Sequence, residues 1–297
     1  MRIAIVSSSF PANEGDPAGH FVRAEARELS REGHQVIVVA PPPGGAFGWP
    51  GMAARVKERP WRLVEVARWV MAARARLSRL DAQRVVAHWA VPCAWPVAWG
   101  APSAELEVVS HGGDVRTLGR MPRGVRERVV GAIAGRARTW RFVSEELRAT
   151  LLRSLGDRPL RVRVERLAVV RAASMEMLDV GAAIARHRRA LAGTRVAVSV
   201  GRLVAGKRVD RAIEHVARTR EVEALVVVGD GPERGRLEAL ARARGVDARF
   251  VGLVPREEAL AWIGAAAFLV FASEEEGAST VLREAEAMGT RVLVLGE

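Results

Sequence analysis

Tyrosine is absent from this chain, cysteine occurs once, and of 46 basic residues only Lys57 and Lys207 are lysines. Each scarcity excludes something. A lone Cys93 can neither close an internal disulfide nor build a cysteine-based metal cluster. No apolar run reaches the roughly eighteen residues that a membrane-spanning helix needs. Met1-Arg2-Ile3-Ala4-Ile5-Val6 runs straight into a strand pattern, with no signal-peptide core and cleavage site. These features predict a cytosolic chain. The net charge of +12 would suit an anionic partner. The excess is almost all arginine, however, in an alanine-rich chain without tyrosine, a pattern that GC-rich coding bias produces without selection for a ligand. No nucleic-acid partner is expected.

What is present is α/β patterning. The 297 residues, 49% of them hydrophobic, suffice for two domains with a core each. A strand over 2–6 leads through a loop with Pro11, Gly15, Pro17 and Gly19 to a helix over 20–32. Gly33 stops that helix before a strand over 35–40. Gly19 at the helix entrance would let backbone approach a ligand closely, or simply make a tight turn. After the loop 41–51, Pro60 can open a helix with Leu63, Val66, Ala67, Val70, Leu77 and Leu80 on its inner face. Arg62, Arg68, Arg74, Arg76 and Arg79 would lie outside, with Trp61 and Trp69 beside them. Such a basic amphipathic helix packs on a core or lies on anionic lipid. Short strands over 84–87 and 107–110 deliver His88-Trp89 and His111-Gly112-Gly113-Asp114, the latter a candidate site turn. A strand over 139–143, a helix capped by Ser144, and a β-prone stretch over 161–170 complete a first domain, 1–170. The second, 171–297, is entered through the irregular stretch 171–179.

In the second domain a strand over 195–200 delivers Gly201-Arg202-Leu203-Val204-Ala205-Gly206-Lys207. Two cations at a helix entrance suit an anionic leaving group, and a lysine kept in so arginine-rich a chain points to a need for a compact ammonium. The strand 224–228 delivers Gly229-Asp230-Gly231-Pro232, with Gly235 a loose dinucleotide fingerprint. Pro232 sits awkwardly for a pyrophosphate cradle, and the expected acidic residue is missing after the next strand. A strand over 268–272 is followed by an acidic turn, a helix over 279–288 and a strand over 292–295. Glu276 lies in that turn and Glu284 in the helix. A carboxylate there accepts well from vicinal ribose hydroxyls. The free backbone N–H groups from Gly277 to Thr280 would meet an anion.

Glu276-x7-Glu284 with Ala285 and Gly289 resembles the signature of retaining GT-B glycosyltransferases of the large family 4. Gly19-His20-Phe21-Val22, Gly33-His34, His88-Trp89-Ala90-Val91-Pro92, His111-Gly112, Gly201-Arg202-Leu203 with Lys207, and Gly229-Asp230-Gly231-Pro232 resemble that family's further motifs, in its order. The resemblance implies a GT-B fold, two Rossmann-like doubly wound domains facing a cleft. It also implies transfer of a sugar from a nucleotide-diphosphate donor with retention, without metal or further cofactor. By the same resemblance His111 and Glu276 face the donor sugar, Arg202 and Lys207 bind the diphosphate, and Glu284 holds the ribose. Val251, within Phe250-Val251-Gly252, meets the base through backbone, while Gly19 and Gly277 border the donor. The acceptor, whether glycan, lipid-linked sugar or small molecule, is not specified; the location implied is cytoplasmic, at the inner membrane face if the 60–80 helix binds lipid. The chain also departs from the pattern. Arg166-Leu167-Ala168-Val169 replaces the family's P-N-G-V-D segment, and Arg291 stands where a proline is usual. The sequence stops at Glu297, so an incomplete second domain is expected. Two alternatives stay open: a catalytically inactive nucleotide-sugar binder, and an NAD(P)-linked oxidoreductase resting on Gly229-x-Gly231.

Overall fold

A computed structural model describes residues 1–273 and 279–296. The chain forms two compact units, one of residues 1–12 and 18–176, the other of residues 13–17 and 177–297. The first holds a six-stranded sheet of β1 (Arg2–Ser7), β2 (Gln35–Val39), β3 (Arg84–His88), β4 (Glu105–Ser110), β5 (Ala137–Phe142) and β6 (Ala168–Val170), in the order β2-β1-β3-β4-β5-β6. The second holds five strands, β7 (Val196–Val200), β8 (Ala224–Val228), β9 (Asp247–Gly252), β10 (Phe268–Phe271) and β11 (Arg291–Val294), in the order β11-β10-β7-β8-β9. All these pairings are parallel, with helices as crossovers. Strands covered on both faces must be apolar almost throughout, and Ile3 to Val6 and Ala224 to Val228 are buried without a break. Along β8 the alternation is plain: Leu225 and Val227 join a core with Ile213 and Phe268, while Val226 and Val228 join one with Leu260 and Leu269 on the other face. Strand order reverses between β1 and β3 in the first sheet and between β7 and β10 in the second. Crevices at the carboxyl ends of strands beside such reversals are where open α/β sheets bind ligands.

Two local expectations are corrected. The β-prone stretch 161–170 is mostly helix, Arg158–Leu167, with only Ala168–Val170 joining the sheet. The Asp157 side chain accepts from the Leu160 N–H at 3.3 Å, Pro159 occupies the first turn, and Leu160 and Val164 bury one face four residues apart. The helix Leu63–Leu77 forms, but rotated from the expected face. It buries Trp69, Ala73 and Leu77, whereas Leu63, Val64 and Met71 are each more than half exposed. The cause is tertiary. Trp69 packs edge-on against Phe47 at 5.1 Å, and the Glu65 carboxylate accepts from the Ala46 N–H at 2.6 Å. No helix among the described residues is long and apolar enough to cross a membrane.

Candidate active site

In the first unit the β1/β3 reversal carries aromatic and ionisable groups. His88 ends β3, paired in register with Ser7 and Val109, and His111 follows β4 directly. The two rings lie nearly parallel, 11° apart, with His88 Nδ1 and His111 Nε2 at 2.9 Å. Phe21 and Trp89 flank His111 at 4.5 and 5.0 Å. The turn that aims His111 is fixed by Asp114, whose carboxylate accepts from the His111 and Gly112 N–H groups and, at 2.8 Å, from that of Ala90. Asp114 therefore ties the β3 and β4 loops together. Gly19, at the start of the helix His20–Arg31, has φ +68°, and a Cβ there would run into the Ser9 carbonyl. Packing within the β1 loop thus accounts for the glycine.

Behind the histidines lies a chain of buried charge that the sequence did not single out. His88 Nε2 faces Glu25 Oε2 at 3.7 Å, Glu25 pairs with Arg141, Arg141 Nε lies 3.2 Å from Glu107, and Glu107 pairs with Arg84. Glu25 and Arg141 are almost wholly enclosed. Enclosure, and secondarily the Arg141 charge, push the His88 pKa down to about 3. Enclosure, then His88 and Arg141, hold His111 well below the ordinary imidazole value. Both rings are accordingly neutral at neutral pH. The available signal was an arginine in the middle of an apolar strand, Trp140-Arg141-Phe142.

In the second unit the predicted cations lie on the loop after β7. Lys207, in the turn Ala205–Lys207, folds its side chain back to 3.8 Å from where a Cβ on Gly201 would be. Arg202 and Lys207 are both half-buried. The loop is fastened to the one after β8: Gly201 N–H donates to Val228 O, Leu203 N–H to Asp230 O and Glu233 N–H to Leu203 O. Side chains at Gly229 and Gly231 would collide with the backbone of Gly201 and Leu203. Those two glycines are explained by a neighbouring loop, and the fingerprint read in them loses its force. Val251 is the residue left over where β9 slips against β8, since Val227 pairs with Phe250 and Val228 with Gly252. Ser273 Oγ donates to Gly206 O at 3.2 Å, bringing the end of β10 to the same loop.

Glu284 lies in the helix Thr280–Ala287 and is only 5% exposed. Arg256, equally buried and unremarked in the sequence, donates to Glu284 Oε1 at 2.8 Å, and its N–H donates to Gly15 O. Glu276 and Gly277 lie outside the described residues. His111 and Gly19 thus belong to the first unit, and Arg202, Lys207, Val251 and Glu284 to the second. Arg291, in place of the usual proline, sets its guanidinium 4.7 Å over the Phe268 ring. Among the described residues no three His, Cys, Asp or Glu side chains gather as a metal cluster would require.

The arrangement matches known proteins. Residues 184–295 match the model of the family described as glycosyl transferases group 1. Anabaena HepE, solved in complex with UDP and glucose, superposes with a TM-score of 0.70 at 18% identity, over 99% of this chain and 80% of that one. A sucrose-phosphate synthase from Thermosynechococcus elongatus gives 0.66 at 19% identity over the same shares. WaaG, a glycosyltransferase involved in lipopolysaccharide biosynthesis, gives 0.61 at 19% identity, over 98% of this chain and 80% of that one. No curated protein matches the sequence. Residues 184–295 thus resemble the glycosyl transferases group 1 family, on a chain with the two-unit α/β fold of GT-B glycosyltransferases.

Proposed function

We propose that this chain is a retaining glycosyltransferase of family 4 that moves a sugar from a nucleotide-diphosphate donor to an acceptor hydroxyl without a metal ion. The observation that carries the reading is the knot of loops after β7, β8 and β9, with Arg202 and Lys207 on it beside the β7/β10 reversal. As the bond to the sugar breaks, negative charge gathers on the departing diphosphate. A guanidinium and an ammonium held on one loop stabilise it as it forms. Glu284 receives the ribose hydroxyls. The bond from Arg256 orients the carboxylate, whose oxygens accept from hydroxyl donors. The backbone at the Val251 irregularity meets the base. His111 and Glu276 face the donor sugar, and the acceptor attacks from the face the diphosphate leaves, so no separate general base is assigned. UDP, present in the HepE complex, is the first nucleotide to test. The protein works in the cytoplasm.

Calorimetric titration with UDP, GDP and ADP tests binding, and the anomeric form of the product, read by NMR, tests retention. Glu284→Gln should weaken binding of the bare nucleotide diphosphate. Glu276→Gln should leave that binding intact and lower turnover, the signature of a contact made chiefly in the transition state. Binding by none of the three nucleotides would sink the proposal. Binding without turnover would replace it with an inactive nucleotide-sugar binder.

A second reading concerns the membrane. Trp61, Leu63, Val64 and Met71 are all more than half exposed on and beside one helix, with Arg68 and Arg76 exposed there too. That combination suits the surface of an anionic bilayer. On this reading the acceptor is a lipid-linked molecule.

A further inference from the structure

The protons of the His88–His111 pair can be followed from the charges around them. Glu25 is paired with Arg141, a buried arginine that also meets Glu107, so its oxygens face guanidinium N–H donors and act as acceptors. His88 Nε2 faces the Glu25 carboxylate at 3.7 Å, beyond hydrogen-bond length, is sealed from solvent, and has no hydrogen-bond partner. A bare nitrogen there would set one lone pair against another in a closed space, so the proton sits on His88 Nε2. His88 Nδ1 is then bare. The 2.9 Å contact is a hydrogen bond only if His111 Nε2–H donates into it. One nitrogen of His111 remains, Nδ1, and it is an acceptor.

We infer that His88 is the positioning residue of His111, holding it as the Nε2–H tautomer with a bare Nδ1 turned to substrate. The groups facing the pair come from every neighbouring element: Glu25 from the helix His20–Arg31, Arg141 from β5, and Asp114, which takes up backbone N–H groups of the His111 turn. None offers His111 Nε2 a competing acceptor. The consequence for chemistry is directional. His111 accepts a hydrogen bond from a hydroxyl, so it selects a sugar that presents an O–H at that point and disfavours one with an acceptor alone. This last step rests on the transferase reading; the tautomer does not.

Long-range 1H–15N correlation on the full chain with 15N-labelled histidine reads the tautomer directly. In the free parent protein His111 should show a protonated Nε2 and a bare Nδ1, as a single form. His88→Phe, which keeps ring volume and removes the acceptor, should yield a mixture of the two His111 tautomers. His88→Asn, whose amide oxygen can accept from Nε2–H, should restore the single form. A parent His111 protonated on Nδ1, or a His88→Phe spectrum with the parent's single tautomer, overturns the inference. The parent measurement needs no variant to fold. Because it uses free protein, its failure would leave the transferase reading standing, whereas failure of nucleotide binding in calorimetry would leave the histidine pair as assigned.

Discussion

The first unit seals its charges. Glu25, Arg141 and His88 lie out of water in a file that runs from His111 to Arg84, each group spoken for by the next. The second unit sets Arg202 and Lys207 half in solvent, on a loop held by backbone bonds to its neighbours. A buried ion pair gains little net stability, because desolvation offsets the attraction, but it admits one geometry only. A half-exposed cation keeps part of its hydration and stays within reach of an arriving anion. Groups meant to orient can be buried in this way; groups meant to take up a leaving diphosphate need to be reachable.

Breaking the file should have the largest effect. Arg141→Met strands Glu25 without its arginine in an enclosed place and leaves Glu107 with Arg84 alone, which costs about 3–5 kcal/mol. The midpoint of urea unfolding would show it. A loss under about 1 kcal/mol would mean that water reaches these carboxylates and that the two units do not differ as argued.

Acid should act next, and on the first unit. His88, with a folded-state pKa of about 3, and His111, also depressed, stay neutral when folded but bind protons in the unfolded chain below its ordinary value near 6.5. The unfolded state then binds more protons, so stability falls as pH drops below about 6.5 and is intact above it. His88 alone contributes about 2 kcal/mol of loss by about pH 5, taking about 1.4 kcal/mol per pH unit, and His111 adds to it in the same direction. Urea titrations at neutral pH and near pH 5 measure the loss, and His88→Phe should reduce the difference to what His111 contributes. Equal stability at both pH values would show the pair to be open to water.

Lys207→Ala sharpens the contrast from the other side. The half-buried ammonium should be worth about 1.5–3 kcal/mol to a bound nucleotide diphosphate, a ten- to hundredfold loss of affinity. Its cost to folding should be smaller than that of Arg141→Met, since a half-exposed charge keeps part of its hydration. Unchanged calorimetric affinity would remove Lys207 from the site.

How much of this was legible in the sequence follows the same division. Strands such as Ile3 to Val6 and Leu225 to Val228 are buried on both faces, so an unbroken apolar run marks them without tertiary knowledge. Lys207 stood out because the chain otherwise uses arginine. The stretch 158–167 was misleading because Arg161-Val162-Arg163-Val164 alternates like a strand, while the Asp157 cap and Val164 burial that decide for helix act only in the folded chain. Arg256 and Glu25 each read as an ordinary helix charge. What gives them meaning is a partner 28 residues away for Arg256 and 116 away for Glu25, and no local pattern carries that.

The smallest effect on stability, and the most informative for the membrane, belongs to the outer face of the helix Leu63–Leu77. Its two sides make the comparison in miniature. Trp69 is enclosed against Phe47, whereas Val64 and Met71 project into solvent on the far side. Val64→Ser and Met71→Ser remove apolar surface that the fold does not use, so unfolding should shift by no more than about 0.5 kcal/mol. If that face rests on lipid, the same pair of changes should lower co-sedimentation with phosphatidylglycerol vesicles. Arg68→Gln should do so at low salt and matter less as salt screens the headgroups. Vesicles of neutral lipid separate the two contributions, since only the apolar one survives there. If the parent protein does not sediment with anionic vesicles at low salt, the exposed face has no lipid to meet and the membrane reading falls, while the stability prediction for the two serines still stands.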